Sequence, residues 1–180
     1  MIARLADEQG MGLVELVVAM FILTVALLAL AAGWETAAIS VHKASNTTVA
    51  AKLASSQIEL YQSLKVSSIG LDQTTLTNVK NSGSGSYDAT YVSDAAGLSP
   101  AGTDHTIVGC GSSAQCLPIQ DVTGPENHPY RIETFVRDVA NAGATGTWNE
   151  RFVTVIVRDR GTSGNPILYS VTSAFDPGPS

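Results

Sequence analysis

One carboxylate stands inside an apolar stretch near the start of the 180-residue sequence. The run from Met11 to Ala32 consists mainly of apolar residues, and Glu15 is the single charged side chain within it. A helix rises about 1.5 Å per residue, so about twenty apolar residues span the hydrocarbon core of a bilayer. A carboxylate in such a helix costs on the order of 2 to 3 kcal/mol on insertion, and Glu15 therefore needs a partner of opposite charge.

A cut of the chain after Gly10 would supply that partner. The new amino terminus on Met11 would lie four residues before Glu15, and positions i and i+4 share one face of a helix. The free N–H groups and the positive dipole end of the first helical turn also favour a carboxylate. The spacing therefore predicts a charge pair between a processed amino terminus and Glu15.

The run GMGLVELVV from Gly10 to Val18, with the apolar stretch after it, resembles the N-terminal processing motif of type IV prepilins and type II secretion pseudopilins. In that family a peptidase cuts after the last Gly of a short leader and methylates the new first residue. A Glu at the fifth mature position then directs assembly. The resemblance implies that residues 1–10 are a leader ending at Gly10, that Met11 is N-methylated, and that Glu15 is the assembly carboxylate.

The resemblance also implies what the protein does and where it lies. We expect a structural filament subunit that is not an enzyme and needs no cofactor, with a minor pilin favoured over a secretion pseudopilin. The implied partners are other pilin subunits, the prepilin peptidase, an inner-membrane assembly platform, and membrane lipid before assembly. The chain would cross the inner (cytoplasmic) membrane once and then join a cell-surface or periplasmic filament.

A different class of protein is the main alternative. The tripeptide Ala29-Leu30-Ala31 has the small residues of a signal-peptidase site, so the chain could be a secreted binding or hydrolytic domain cleaved after Ala31. Two features count against this alternative. The apolar run is long for a signal peptide, and Glu15 lies within its first turns.

The two cysteines, Cys110 and Cys116, enclose a small loop that contains Gly and Ser. Their spacing is neither a CxxC redox motif nor a zinc motif, and it predicts a disulfide, with two unpaired buried thiols as the alternative. Export from the cytoplasm would favour the disulfide. A ring of about seven residues stabilises by roughly 2 to 2.5 kcal/mol, enough to fix one loop but not a whole fold.

The remaining polar residues predict neither catalysis nor binding of nucleic acid. The formal charge of −6 disfavours attraction to phosphate backbones. His42, His105 and His128 are scattered without metal-ligand spacing, and no GxSxG nucleophile motif is present. Carboxylate and amide groups near the last strands are candidate calcium ligands, but they do not match an EF-hand loop. These groups belong to Asp138, Asn141, Glu150 and Asp159.

A second helical segment is predicted over residues 34–69, which contain no Gly or Pro before Gly70. Val49, Leu53, Leu60 and Leu64 recur at helical spacing and predict an apolar face. This amphipathic half would continue the membrane helix of residues 11–33. Gly33 is the obvious place for a break between the two halves, and the sequence leaves that question open.

Residues 70–180 are predicted to form the globular part of an α+β fold. The first portion is rich in Gly, Ser, Thr, Asn and Asp and predicts mostly loop, with short strands at 89–92 and 106–108. Alternating apolar residues predict three antiparallel strands within 131–136, 152–157 and 167–175. We expect the amphipathic half of the helix to cover the apolar face of this sheet.

The other face of the sheet is predicted to be a solvated surface with salt links. Four arginines lie in or near the predicted strands, and acidic residues lie close to each of them in sequence. The arginines are Arg137, Arg151, Arg158 and Arg160, and the acidic residues are Glu133, Asp138, Glu150 and Asp159.

Overall fold

The computed structural model describes residues 9–111, 113–143 and 146–176, and for residues 9–11, 141–143 and 146–148 it describes the backbone alone. Residues 1–8, most of the predicted leader, lie outside the described residues. The chain divides into two compact units, one that runs to Ser45 and one that begins at Asn46. The fold is α+β, as the sequence predicts.

The first unit is helical. Its described residues belong to helix α1 (Gln9–Gln62), which the backbone follows without a break at Gly33. A Cβ at Gly33 would contact nothing within 4 Å, so this glycine makes no close packing contact. The many Leu and Ala residues favour the helical state along this part of the sequence.

The second unit is built on a five-stranded antiparallel sheet. Its strands are β2 (Thr103–Asp104), β4 (Ile119–Thr123), β5 (Pro129–Gly143), β6 (Gly146–Asp159) and β7 (Ile167–Phe175). Strands β5, β6 and β7 are neighbours in that order, and both β2 and β4 pair with the other side of β5. A small parallel pair joins β1 (Leu71–Asp72) to β3 (Thr106–Ile107). The three predicted C-terminal strands are confirmed, and each is at least as long as predicted.

The C-terminal part of α1 packs on one face of this sheet. Its buried apolar residues follow helical spacing and join a core with the apolar side chains of β5 and β6; they are Ala50, Ala54, Ile58 and Tyr61. The two alanines allow the helix to lie close to the strands. The predicted face is displaced by about one residue, because Val49, Leu53, Leu60 and Leu64 are only half-buried at its margins. Ala50 and Ala54, rather than the larger residues beside them, occupy the buried positions.

Helix α1 ends at Gln62, seven residues before the predicted end at residue 69. The Ser63 hydroxyl donates to the Leu60 carbonyl, a local bond that competes with helical continuation. The chain then passes through a 3-10 turn at Val66–Ser68 and buries Ile69 completely. Departure from the helix brings Ile69 into the core.

The region predicted as mostly loop contains two helices, α2 (Gln73–Lys80) and α3 (Ala89–Gly97). The strand predicted at 89–92 is therefore wrong, whereas the short strand at 106–107 is present. Asp72 and Asp88 cap these helices by accepting bonds from Thr75 N and Tyr91 N, each at 2.9 Å. The prediction missed both caps because the surrounding Ser, Thr and Gly residues also suit loops.

Candidate functional site

The first half of helix α1 presents an apolar surface on every side. From Leu13 to Leu30 the large apolar side chains are each between 50% and 71% exposed. A helix that is apolar all round must be buried in lipid or among other helices. Among the described residues, α1 is the one helix long and apolar enough to cross a membrane.

The few polar groups of this segment fall into two kinds. The hydroxyl of Thr24 donates to the Met20 carbonyl at 2.7 Å, so it is satisfied within its own helix. Glu15 is an exposed carboxylate among exposed apolar side chains, and the next charged residue along the chain is Glu35. In lipid or among apolar helices, a carboxyl group is costly unless it takes up a proton or pairs with a counter-charge.

The predicted processing residues lie at the start of α1. Gly10 and Met11 belong to the helical backbone, and their side chains lie outside the described residues. Glu15 follows Met11 by four residues in the same helix, which places the two positions on one face. A helix that began at Met11 would have Glu15 just after its four unpaired N–H groups.

Cys110 and Cys116 form a disulfide, in agreement with the predicted pairing. The enclosed loop is also bonded to helix α1. The Tyr61 hydroxyl donates to the Gln115 carbonyl at 2.6 Å, and Gln57 Nε2 donates to the Ala114 carbonyl at 3.3 Å. Burial raises the pKa of Tyr61 to about 12, so this phenol remains a donor at physiological pH.

Replacing both cysteines by serine is expected to loosen this loop more than it unfolds the second unit. The disulfide stabilises by roughly 2 kcal/mol for a ring of this size, while Tyr61 and Gln57 still hold the loop on α1. Limited proteolysis should cut the variant faster between residues 108 and 117, with a small fall in melting temperature. Alkylation of the parent before and after reduction should differ by two labels. Equal labelling would show that the bridge does not form.

The second face of the sheet carries a buried charge cluster, which we call the α3 clasp: Asp88, Asp94, Arg131, Glu133 and Arg158. Arg131 lies 2.5 Å from Asp88 and 2.9 Å from Glu133, joining the start of α3 to strand β5. Arg158 of β6 pairs with Asp94 of α3 and lies 3.4 Å from Glu133. Two guanidinium groups thus face three carboxylates.

Glu133 lies at the centre of the α3 clasp with none of its surface exposed to solvent. Burial is the largest influence on this carboxyl and raises its pKa, and Asp94 acts in the same direction. Arg131 and Arg158 lower the pKa, but the net result is a rise from 4.5 to about 7. Glu133 therefore holds its proton more tightly than an exposed glutamate does.

Aromatic and backbone contacts complete the cover that α3 forms over this face. The rings of Tyr91 and Phe135 stack with centroids 4.4 Å apart, and the Tyr91 hydroxyl donates to the Thr134 carbonyl at 2.9 Å. Arg137 donates to the Ala95 carbonyl near the end of α3. The prediction of a solvated face is wrong, because Arg137, Arg158 and Glu133 are all buried beneath α3. Of the predicted salt links, Arg158 with Glu133 and Arg151 with Asp138 are present, whereas Arg137 and Arg160 pair with Asp104 and Asp121.

A second polar cluster joins the sheet to the segment after α1. Arg151 contacts Asp138 at 2.8 Å and donates to the Val66 and Ile69 carbonyls at 2.6 and 3.1 Å. His105 Nδ1 lies 2.6 Å from Asp138. Burial raises the pKa of Asp138, but its bonds to Arg151 and His105 outweigh burial and lower the pKa overall. This cluster connects two strands to the chain leaving the helix.

The residues considered for calcium do not converge. Asp138 faces Arg151 and His105, while Asp159 accepts from Gly161 N, the Thr162 hydroxyl and His128 Nε2 at 2.7 to 2.9 Å. Within the described residues no group of three or more His, Cys, Asp or Glu side chains could hold a metal ion. The side chain of Asn141 lies outside that description.

Sequence reasoning missed the α3 clasp as a unit. Its signal was the spacing of Arg131 and Glu133, two residues apart in a strand, which places both on one face. Charged residues on one face of a strand usually indicate that this face is exposed to solvent. Here the acidic residues of α3 supply the partners, and the predicted loop concealed them.

No family model matches the chain, and neither the curated proteins nor the solved structures include a match. The residues and the fold are the basis on which function is inferred.

Proposed function

We propose that the protein is a structural subunit, of the minor-pilin kind, of a type IV pilus-like filament. The observation that carries the proposal is the position of Glu15. It is the lone charge on the exposed apolar part of α1, four residues beyond Met11 and five beyond Gly10. Cleavage after Gly10 and N-methylation of Met11 would place a cationic amine on the helix face that carries Glu15.

The apolar part of α1 fits two successive environments. As an inserted precursor it would cross the inner membrane, where lipid covers its exposed side chains. In a filament, the same side chains would pack against helices of other subunits. Glu15 of an entering subunit would pair with the amino terminus of a neighbour, which replaces two unpaired buried charges with one ion pair.

The second unit is consistent with a structural role. One sheet face is covered by the C-terminal part of α1, and the other is covered by α3 through the α3 clasp and the stacked Tyr91 and Phe135. A long helix that packs on an antiparallel sheet is the arrangement the pilin resemblance implies. The proposed partners are other subunits, the prepilin peptidase, an inner-membrane assembly platform, and lipid before assembly. We assign no catalytic role and no nucleic-acid partner.

Replacing Gly10 by Ala is expected to leave the precursor uncut and anchored in the membrane. The proposed peptidase must accept a residue almost without a side chain before the scissile bond, and a methyl group there would block it. Immunoblotting of membrane fractions should show the parent at the mature size and the Gly10→Ala chain at the precursor size. Gly12→Ala is a matched control, because a Cβ at Gly12 meets nothing within 4 Å. A normal size shift in Gly10→Ala would reject processing at this site.

A further inference from the structure

Strand β7 forms one edge of the five-stranded sheet. It pairs with β6 from Arg151↔Phe175 to Arg158↔Ile167, and no strand in the described part of the chain pairs with its other side. An edge strand presents alternate backbone N–H and C=O groups that can pair with another strand. None of its residues is fully buried.

The sequence of β7 lacks the features that usually protect an edge. The strand reads ILYSVTSAF, with no charged residue and no proline, and it is rich in residues that favour strands. The opposite edge differs. There β2 and β4 are two and five residues long, and each contains an aspartate in an ion pair, Asp104 with Lys80 and Asp121 with Arg160.

We propose that the outer edge of β7 pairs antiparallel with β7 of a second copy of this chain. A second β7 is favoured as the partner over the opposite edge of the sheet. At that edge β2 and β4 are short and charged, and they would pair poorly with an uncharged strand. Two uncharged copies of β7 place no like charges opposite one another. Antiparallel self-pairing has two-fold symmetry and closes at two copies.

This contact is separate from the proposed filament contact. A two-fold contact cannot propagate, so it would join two subunits outside the growing filament. It depends on β7 alone and needs neither cleavage at Gly10 nor the Glu15 pair. Failure of one proposal therefore leaves the other unaffected.

Disulfide trapping in the full-length chain tests the self-pairing. Ser170 is exposed in the middle of β7, and Ser93 is an exposed serine on α3 that serves as the matched control. Because Cys110 and Cys116 are already bonded, Ser170→Cys and Ser93→Cys each add one free thiol. In detergent the apolar part of α1 could bring chains together, but it would do so equally in both variants. Mild oxidation should give a covalent dimer from Ser170→Cys well above the Ser93→Cys background.

A charged substitution at Ser170 provides a second test of the self-pairing. Ser170→Lys brings two like charges close together near the middle of the paired strands and should abolish the dimer in sedimentation and chemical crosslinking, whereas Ser170→Thr should retain it. Circular dichroism melting checks that both variants remain folded. Equal trapping of Ser170→Cys and Ser93→Cys, or an unchanged dimer in Ser170→Lys, would overturn the proposal. A monomeric parent would overturn it as well, and would leave the edge to an extended segment of another protein.

Discussion

A chain carrying Glu15→Ala is expected to be cut and inserted normally and yet to be absent from filaments. Removal of a carboxylate from an apolar helix eases membrane insertion, so this step should not suffer. The second unit begins at Asn46 and has its own core, so its stability should not depend on Glu15. The loss falls on the counter-charge for the proposed methylated amine of a neighbouring subunit. We expect recovery in sheared filaments to fall to background.

Two further variants separate charge from shape. Glu15→Gln keeps the size of the side chain without its charge and should fail as Glu15→Ala does. Glu35→Ala removes the next carboxylate of the same helix, beyond the apolar run, and should enter filaments normally. If Glu15→Ala enters filaments as well as the parent, Glu15 has no assembly role and is merely a tolerated charge.

Replacing Glu133 by Gln is expected to remove a pH dependence of stability between about pH 4.5 and 7. In the folded protein the pKa of Glu133 is raised from 4.5 to about 7, so folding takes up a proton in this range. The stabilisation that Glu133 contributes is fully present below pH 4.5, the ordinary pKa, and is lost as the pH rises through about 7, the pKa in the folded protein. A shift of this size corresponds to about 3 kcal/mol.

Paired denaturant titrations measure this effect. A fragment that begins at Trp34 keeps the whole second unit, and parent and Glu133→Gln fragments should be unfolded in guanidinium at several pH values from 5 to 8. The parent should lose free energy of unfolding relative to the variant as the pH rises, because Gln resembles the protonated acid throughout. Both fragments share every histidine, so the difference isolates Glu133. Parallel profiles would mean that Arg131 and Arg158 keep Glu133 ionised over the whole range.

The depressed carboxyl pKa values act in a different pH range. Burial alone would raise the pKa values of Asp88 and Asp159. Hydrogen bonds and the neighbouring Arg131 and His128 outweigh burial, so both pKa values lie below 3.8. Their contribution is present above the ordinary value and is lost only when the pH falls through the lower folded value. They therefore do not obscure the change assigned to Glu133.

The three C-terminal strands could be predicted because their signal is local. In β6, Val153, Val155 and Val157 recur at every second position, and all three are buried against the core. The disulfide could also be predicted, because two cysteines in a short loop leave little choice of partner. The position of Glu15 in an apolar helix is likewise visible in the chain itself.

The cover on the second sheet face could not be predicted in this way. Helix α3 is nine residues long, and what fixes it on the sheet is a set of distant partners such as Asp94 with Arg158. The sequence separates these two residues by 64 positions, and no local pattern joins them. The end of α1 was missed for a related reason, because burial of Ile69 depends on the assembled core rather than on helix propensity.

The mass of the mature chain tests the central claim most directly. Intact-mass spectrometry of the protein purified from its native membrane should give a chain that begins at Met11, carries one methyl group on its amino terminus, and retains the Cys110–Cys116 bridge. Such a mass would support processing after Gly10 and a filament subunit of the pilin or pseudopilin kind. A chain that begins at Ala32 would contradict the account, because it would lack Glu15 and the other apolar-segment residues of α1 that precede Ala32.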